Sequence, residues 1–546
     1  MDIDSVLSEI NRSLEGIFPE AIALYGSQVA GYSKPDSDYD VLALVKGLNG
    51  KLRYVYHKGK SIELSVLLVD LNEAAKDADS ASMGEFVVGR LLNPFIPIYG
   101  ESIIKDLEER YKERVIREES AELYSQYGNF SYHLKIPLQY FLFSKLKKRY
   151  KIYPPALYSY AMTYSAERAE KNLSMSLPGF RKALSRIGYL QADGDVVRVK
   201  SGTRLAAVPF RDDFELFERA IKQYIFHGIS GKVGPDVVVS EAISKLKRRR
   251  TVREVNVYLK RPELLLSIDG ARLLYSGAPE REYFGSDVRA GRLDEFKGLK
   301  VGTINGKKCV IKRFTGTKHL KWYFLGMIGR PIKPFDISPI QRMYNEYIIT
   351  MRLEQMKFSV PKIEAISVKK PTIIKEYIEG ETALHSIKMF FKSESEGKMI
   401  ITSVGALLRQ LHDKGVVLGD SKPENILVNE NGLHLIDLEQ SKLNATVQDK
   451  GWDIAEFLYY SLSFAKNREI ASKFYELFFS GYGIDLDVFR EATSQRYSMP
   501  FLLIIRADAL GYYRETLQKF LNVNYQQEGA KLKNELDEGS LHEAGI

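Results

Sequence analysis

Cysteine is almost missing from this chain. Cys309 is the sole one among 546 residues, so no internal disulfide can hold the fold and an oxidising compartment is not indicated. Long apolar runs are missing as well: stretches such as Ile62 to Val69 and Phe501 to Ile505 are strand-length or interrupted by charge, far short of the roughly 18 residues that a membrane helix needs. The opening MDIDSVLSEINRSLEG has neither a basic n-region nor an apolar h-region, so a cytoplasmic protein without membrane contact is expected. Internal repeats and low-complexity tracts are also absent. What is present is length enough for about three domains and 45% apolar residues to fill their cores. Lys and Arg total 79 against 70 Asp and Glu, a net charge of +9 that favours an anionic partner such as nucleic acid. Abundant charge, 33 tyrosines and scarce cysteine fit a heat-adapted cytosolic protein.

Changes of hydrophobic period divide the chain into a multidomain mixture of α/β and α+β folds. Residues 1–105 read as a mixed sheet and 106–175 as a helical domain. Residues 176–262 contain an amphipathic stretch, PGFRKALSRIGYL, then two short strands about Ala192-Asp193-Gly194-Asp195, the pattern of a winged helix. A basic linker with Lys245-Leu-Lys-Arg-Arg-Arg250 follows. Residues 263–525 form a large α/β segment, and 526–546 a charged tail expected to fray.

In the first segment, Tyr25-Gly26-Ser27 follows the apolar strand Ala21 to Leu24, and Asp38-Tyr39-Asp40 opens another, Val41 to Val45. Alternate residues of a strand share a face, so Asp38 and Asp40 project together. A hairpin about Gly47-Leu-Asn-Gly50 is expected to return the strand carrying Glu63 alongside. Three hard oxygen ligands suit two Mg²⁺ ions that activate a hydroxyl and steady a leaving pyrophosphate. Gly26 would let the backbone approach a triphosphate, and Ser27 offers a hydroxyl and an amide at a helix start. The bland alternative is an ordinary turn with a solvated acidic hairpin. Over about residues 18–100 the arrangement resembles the minimal nucleotidyltransferase domain of the DNA polymerase β superfamily. That resemblance implies nucleotide binding at Gly26 and Ser27 and metal binding at Asp38, Asp40 and Glu63.

The strongest pattern is Leu418-Gly419-Asp420-Ser421-Lys422-Pro423-Glu424-Asn425, followed by a strand pair ending in Asp437. This is the spacing of a protein-kinase catalytic loop and its metal-binding aspartate. Phosphoryl transfer needs a carboxylate to orient the acceptor hydroxyl, a cation near the γ-phosphate and oxygen ligands for Mg²⁺. Asp420, Lys422 and the pair Asn425 with Asp437 fill those roles in order. Upstream, Cys309-Val-Ile-Lys312 is a strand with one inward lysine to hold the α/β-phosphates of ATP. Glu346, on the next helix, is its expected ion-pair partner. Ile373-Ile-Lys-Glu376-Tyr-Ile-Glu-Gly380 reads as the strand entering a hinge whose backbone takes the adenine. The set resembles the atypical protein kinases, nearest the Bud32 and RIO branch, and an archaeal tRNA kinase relative would also fit. The resemblance implies a bilobal fold in which Asp453 braces the catalytic loop.

Departures from the kinase pattern are informative. Leu418-Gly419 stand where His-Arg would precede the aspartate, Asp437-Leu438-Glu439 replaces Asp-Phe-Gly, and the lid region has only Gly298, Gly302 and Gly306. Fifteen residues separate Asp437 from Asp453, too few for a segment that clamps an extended peptide. The sequence therefore leads to an ATP- and Mg²⁺-dependent kinase whose acceptor hydroxyl lies on RNA, tRNA foremost, or on an RNA-associated protein. The alternative is a nucleotidyltransferase acting on an RNA end or protein hydroxyl, with the kinase-like domain as an ATP-dependent switch. Tyr140 to Tyr150 mixes aromatic and basic residues that could stack on bases and meet phosphates. At helical spacing these aromatics read more readily as core.

Overall fold

The computed structural model describes residues 3–203, 255–315 and 338–498 apart from short gaps (15, 36, 60–61, 277, 285–290, 295–298 and 305), with isolated positions in 243–247 and 501–522. The basic run at 245–250, Gly298 and the tail at 526–546 lie wholly or largely outside the described residues. Two compact units are present, Met1–Asp269 and Gly270–Ile546. Among the described residues no helix is long and apolar enough to cross a membrane.

The first unit begins with helix α1 (Ile3–Ser13) and a five-stranded sheet of β1 (Ala21–Tyr25), β2 (Tyr39–Val45), β3 (Leu52–Lys58), β4 (Glu63–Asp70) and β5 (Ile96–Tyr99), in the order β3-β4-β2-β1-β5. Alternation builds its lower face: Val41, Ala43 and Val45 with Leu64, Val66 and Leu68 bury against Val6, Ile10 and Leu14. The last three recur every four residues, so they form one helical stripe. Each fully buried aliphatic side chain contributes roughly 1.5–3 kcal/mol. Asp40, one residue out of step with Val41, lies on the opposite face, with Asp38 just before β2.

One expectation is corrected here. The turn after β2 returns β3, not the strand bearing Glu63. β4 then pairs antiparallel with β3 and parallel with β2, Tyr39 facing Leu64 and Asp40 facing Ser65. Parallel neighbours need a crossover longer than a hairpin, and β3 with its turns supplies it.

Helices α2 (Gly26–Ala30) and α3 (Leu71–Ser80) lie among these strands, and α4 (Glu101–Tyr127), α5 (Leu138–Ile152), α6 (Ala156–Thr163) and α7 (Ala169–Ser185) follow. Tyr140, Phe141, Leu142, Phe143 and Leu146 are buried, so the aromatic stretch is core. Its cations face inward too: Lys145 meets Glu85 at 2.6 Å and Lys148 meets Glu119 at 2.7 Å. After α7 comes a hairpin of β7 (Leu190–Asp193) and β8 (Val196–Val199), in a sheet ordered β7-β8-β6-β9 with β6 (Leu134–Pro137) and β9 (Ser267–Ile268). The cations at the end of α7 are engaged: Arg181 bonds Asp195, and Lys182 and, just past the helix, Arg186 both reach Glu109. A nucleic acid would have to displace those carboxylates to use this helix.

The second unit opens with a sheet ordered β10-β14-β15-β13-β12-β11. Its strands are β10 (Arg272–Leu274), β11 (Gly291–Asp294), β12 (Leu299–Ile304), β13 (Lys307–Arg313), β14 (Ile363–Ser367) and β15 (Thr372–Glu376), with helix α8 (Pro339–Gln355) between β13 and β14. Beyond it lie α9 (Ala383–Lys392), α10 (Lys398–Asp413), α11 (Val447–Leu462) and α12 (Arg468–Tyr482) around a large aromatic core. Helices α10 and α12 touch through Gly405 and Gly481, where any side chain would strike the Phe478 or Thr402 carbonyl of the opposite helix.

Candidate functional site

In the second unit, β13 and β15 are antiparallel neighbours with Lys312 facing Ile373 and Val310 facing Lys375. Both lysines therefore project from one face of the sheet. Helix α8 starts with proline in its first turn behind Ser338, a position where the missing amide costs nothing. Arg342, Asn345, Glu346 and Ile349 share its inner stripe. Lys312 Nζ lies 2.6 Å from Glu346, 2.5 Å from Asp437 and 3.0 Å from Glu439. Burial alone would lower the Lys312 pKa, but Asp437, Glu346 and Glu439 outweigh it and hold the ammonium charged. In return, Lys312 overcomes burial at both Glu346 and Asp437 and holds those carboxyls below their usual range, helped at Glu346 by Lys375.

Asp437 itself has φ of +60°, a left-handed conformation that costs a non-glycine residue about 1–3 kcal/mol and is retained where surroundings impose it. Those surroundings are on α8. Asn345 Nδ2 donates to the carbonyls of Glu439 and Ser441 at 3.0 and 2.8 Å, and Arg342 bonds the Glu439 carboxylate at 2.9 Å. The helix bearing Glu346 is thus fastened to the segment that follows Asp437.

The loop from Leu418 to Asn425 is held by α11, whose first turn carries a capping box between Thr446 and Asp449. Asp453 is fully buried and accepts from Leu418 N at 2.6 Å and Gly419 N at 2.8 Å. One turn on, Glu456 accepts from Ser421 N at 2.8 Å, and Ser421 Oγ donates to the Asp453 carbonyl. Lys422 Nζ lies 2.5 Å from Asp420 Oδ1, and Asn425 Nδ2 donates to the Asp420 carbonyl at 2.9 Å. Burial would lower the Lys422 pKa, but Asp420 and Glu456 reverse this and raise it. Glu376 ends β15 exposed, its carboxylate accepting from Lys362 N at 3.3 Å. Gly302 lies in β12 and Gly306 in its turn to β13.

Burial and the neighbouring Asp420 push the Glu456 carboxyl up from 4.5 to about 8. Its folded form therefore keeps a proton that the unfolded chain releases near pH 4.5. The associated stability is whole below that pH and is lost as pH rises through 8, at no more than about 1.4 kcal/mol per pH unit. Glu456→Gln, which keeps an acceptor for Ser421 N, is expected to flatten this loss and raise Tm above pH 7. Parallel Tm–pH curves for variant and wild type between pH 5 and 8.5 would refute it.

Lys375, Glu439, Arg342, Asn345 and Glu456 were not singled out from the sequence. Lys375 meets Glu346 at 2.5 Å, placed there by the register of its strand against the Lys312 strand. Among the described residues, the ligand trio whose atoms lie within 4.8 Å of one another is Glu346, Asp437 and Glu439. Lys312 contacts all three, with Lys375 and Arg342 adding positive charge, so the trio is already neutralised by the protein's own cations.

In the first unit, Gly26 has φ of +78° and opens the short helix α2 (Gly26–Ala30), which also holds Ser27. A methyl group on Gly26 would overlap the Asp40 carboxylate. Gly26→Ala is expected to cost about 1–3 kcal/mol, and an unchanged denaturation midpoint would remove this turn from the account. Asp40 lies in β2 with Asp38 just before it, Glu63 bonds Lys58 at 3.0 Å, and among the described residues these three carboxylates do not meet in one ligand trio. Tyr25 faces Asp40, and Arg90 stacks on the Tyr25 ring, while burial, with Tyr54 and Asp40 adding, pushes the Tyr25 hydroxyl pKa well up.

Comparison with known proteins finds family matches within both units. Residues 298–482 match the lipopolysaccharide kinase (Kdo/WaaP) family, and residues 5–88 match the nucleotidyltransferase domain family. The KEOPS complex subunit Bud32 of Pyrococcus abyssi is 26% identical over 114 residues, 21% of this chain and 51% of that protein. A probable bifunctional tRNA threonylcarbamoyladenosine biosynthesis protein of Methanosphaera stadtmanae is 26% identical over 118 residues, 22% of this chain and 21% of that protein. The chain thus spans about half the length of the first relative and about a fifth of the second.

Proposed function

We propose that this chain, which carries a nucleotidyltransferase domain and a kinase domain of the Kdo/WaaP family, transfers the γ-phosphate of ATP to a hydroxyl on RNA, tRNA foremost, or on a protein bound to that RNA. The observation that carries the reading is the convergence of Lys312, Glu346 and Asp437 within 2.5–2.6 Å contacts, together with the Asp420–Lys422 pair on a loop braced from behind. Lys312 would bind the α/β-phosphates. Asp420 would accept the hydroxyl proton, and Lys422 would face the γ-phosphate. Asn425 and Asp437 offer an amide and a carboxylate oxygen, the hard donors that Mg²⁺ takes, and the ion when bound would neutralise phosphate charge. Cytoplasmic action follows from that acceptor.

The choice of acceptor rests on three supports. The segment between Asp437 and Asp453 is short and is tied down by Asn345 and the pair Val416–Leu443, which leaves little chain to clamp a peptide. The net charge is +9. One relative's name refers to the biosynthesis of a modified tRNA nucleoside, and the family description to another non-peptide acceptor. ADP production should therefore rise when RNA is added to the full-length protein. Stoichiometric ADP release indifferent to RNA would instead favour an ATP-dependent switch.

A second reading is favoured by the packing of Gly26 against Asp40: nucleotidyl transfer through Asp38 and Asp40, with Ser27 at the phosphates and Glu63 released from Lys58 to serve as a third ligand. Label from the α-phosphate of a nucleotide should then appear on RNA or protein and vanish in Asp38→Asn with Asp40→Asn. Its absence in the wild type would end this reading.

A further inference from the structure

The face of the first sheet that carries Asp40 can be followed sideways by register. Asp40 faces Tyr25 on one side and Ser65 on the other, and Ser65 faces Tyr56. These four residues form one row across β1, β2, β4 and β3, and alternation puts Tyr54 on the same face as Tyr56. The two rings lie 5.7 Å apart between centroids with 31° between their planes. β3 is an outer strand of the sheet, and Tyr56 is 54% exposed. Tyr54 is half-buried and lies near Tyr25.

Two strand spacings, about 9–10 Å, separate the backbones of Tyr56 and Asp40. That matches the reach from a base across its ribose to its phosphates. The residue between them is Ser65, a small side chain buried at 3% exposure, so a ligand joining ring to carboxylate would cross above it. Beyond Tyr56 on the same face, Lys58 holds a largely exposed ammonium at the rim. The row therefore runs from an exposed, supported aromatic surface to a carboxylate packed against the Gly26 turn.

We propose that Tyr56, backed by Tyr54, is a stacking platform for a nucleobase whose ribose hydroxyl lies toward Asp40 and whose phosphates lie toward the Gly26 turn. The base belongs either to a free nucleoside triphosphate or to an RNA end. This rests on the N-terminal domain handling nucleotides, the second reading above. Stacking on an aromatic face is tolerant of base identity, so the platform positions without selecting sequence.

The test uses 2-aminopurine, whose fluorescence is quenched on stacking, with the full-length protein. One arm supplies 2-aminopurine riboside triphosphate, and the other a short oligoribonucleotide ending in 2-aminopurine. In at least one arm the wild type should quench, Tyr56→Phe should match it, and Tyr56→Ala should bind roughly tenfold more weakly. The responding arm identifies the source of the base. No quenching in either arm, equal quenching in wild type and Tyr56→Ala, or loss in Tyr56→Phe would each overturn the platform. Transfer of α-label is measured in parallel. Tyr56-dependent quenching without any transfer keeps the platform and ends the catalytic reading of Asp38 and Asp40.

Discussion

Asp420→Asn lowers γ-phosphate transfer by a factor of roughly 10²–10⁴, the contribution expected of a positioned proton acceptor, while ATP binding is retained. The separation follows from what holds the loop. Leu418, Gly419 and Ser421 donate their amides to Asp453 and Glu456, and Asn425 bonds the backbone carbonyl of Asp420. None of these bonds uses the Asp420 carboxylate, so the amide variant keeps the loop in place. Its effect should fall on kcat, with KM for ATP little changed. Lys312→Met is the contrast, because it removes the cation shared by Glu346, Asp437 and Glu439 and should weaken ATP binding itself. Transfer at the wild-type rate in Asp420→Asn would take this residue out of the chemistry.

Asp453→Ala should be the most destabilising single change in the second unit. Its carboxylate receives the Leu418 and Gly419 amides at 2.6 and 2.8 Å in a fully buried position, with His412 Nε2 at 3.4 Å. Removing it leaves two buried N–H groups without an acceptor, at about 1–3 kcal/mol each. A loss of about 3–5 kcal/mol would lower Tm by on the order of 10 °C for a unit of this size. Asp453→Asn keeps one acceptor oxygen and should lie between. A fall in Tm no larger than that of a surface substitution would show that the loop is held by other means.

The parts of these sites that could be read from the sequence are those fixed by local spacing. The interval from Asp420 to Asn425 and the place of Asp40 in an apolar strand need only loop and strand periodicity. The partnership of Lys312 with Glu346 needs only one inward lysine and the next helix. What could not be read depends on partners far along the chain. Lys375 resembles any strand lysine until register sets it beside the Lys312 strand and against Glu346. Glu439 looks like a lost glycine until Arg342 and Lys312 are seen to hold it. Lys145 and Lys148 suggest a phosphate-binding face by composition, yet Glu85 and Glu119 draw them into the interior. The strand β3 was hidden in what read as a hairpin, and with it went the row that joins Tyr56 to Asp40.

The central claim is γ-phosphate transfer to an RNA-borne hydroxyl. The most direct measurement incubates the purified full-length protein with tRNA and γ-labelled ATP, then splits the product between nuclease and protease digestion, with Asp420→Asn alongside. The account predicts label on the tRNA fraction that nuclease releases, protease leaves, and the variant fails to form. No transfer of γ-label in the wild type, or equal labelling by Asp420→Asn, would contradict it.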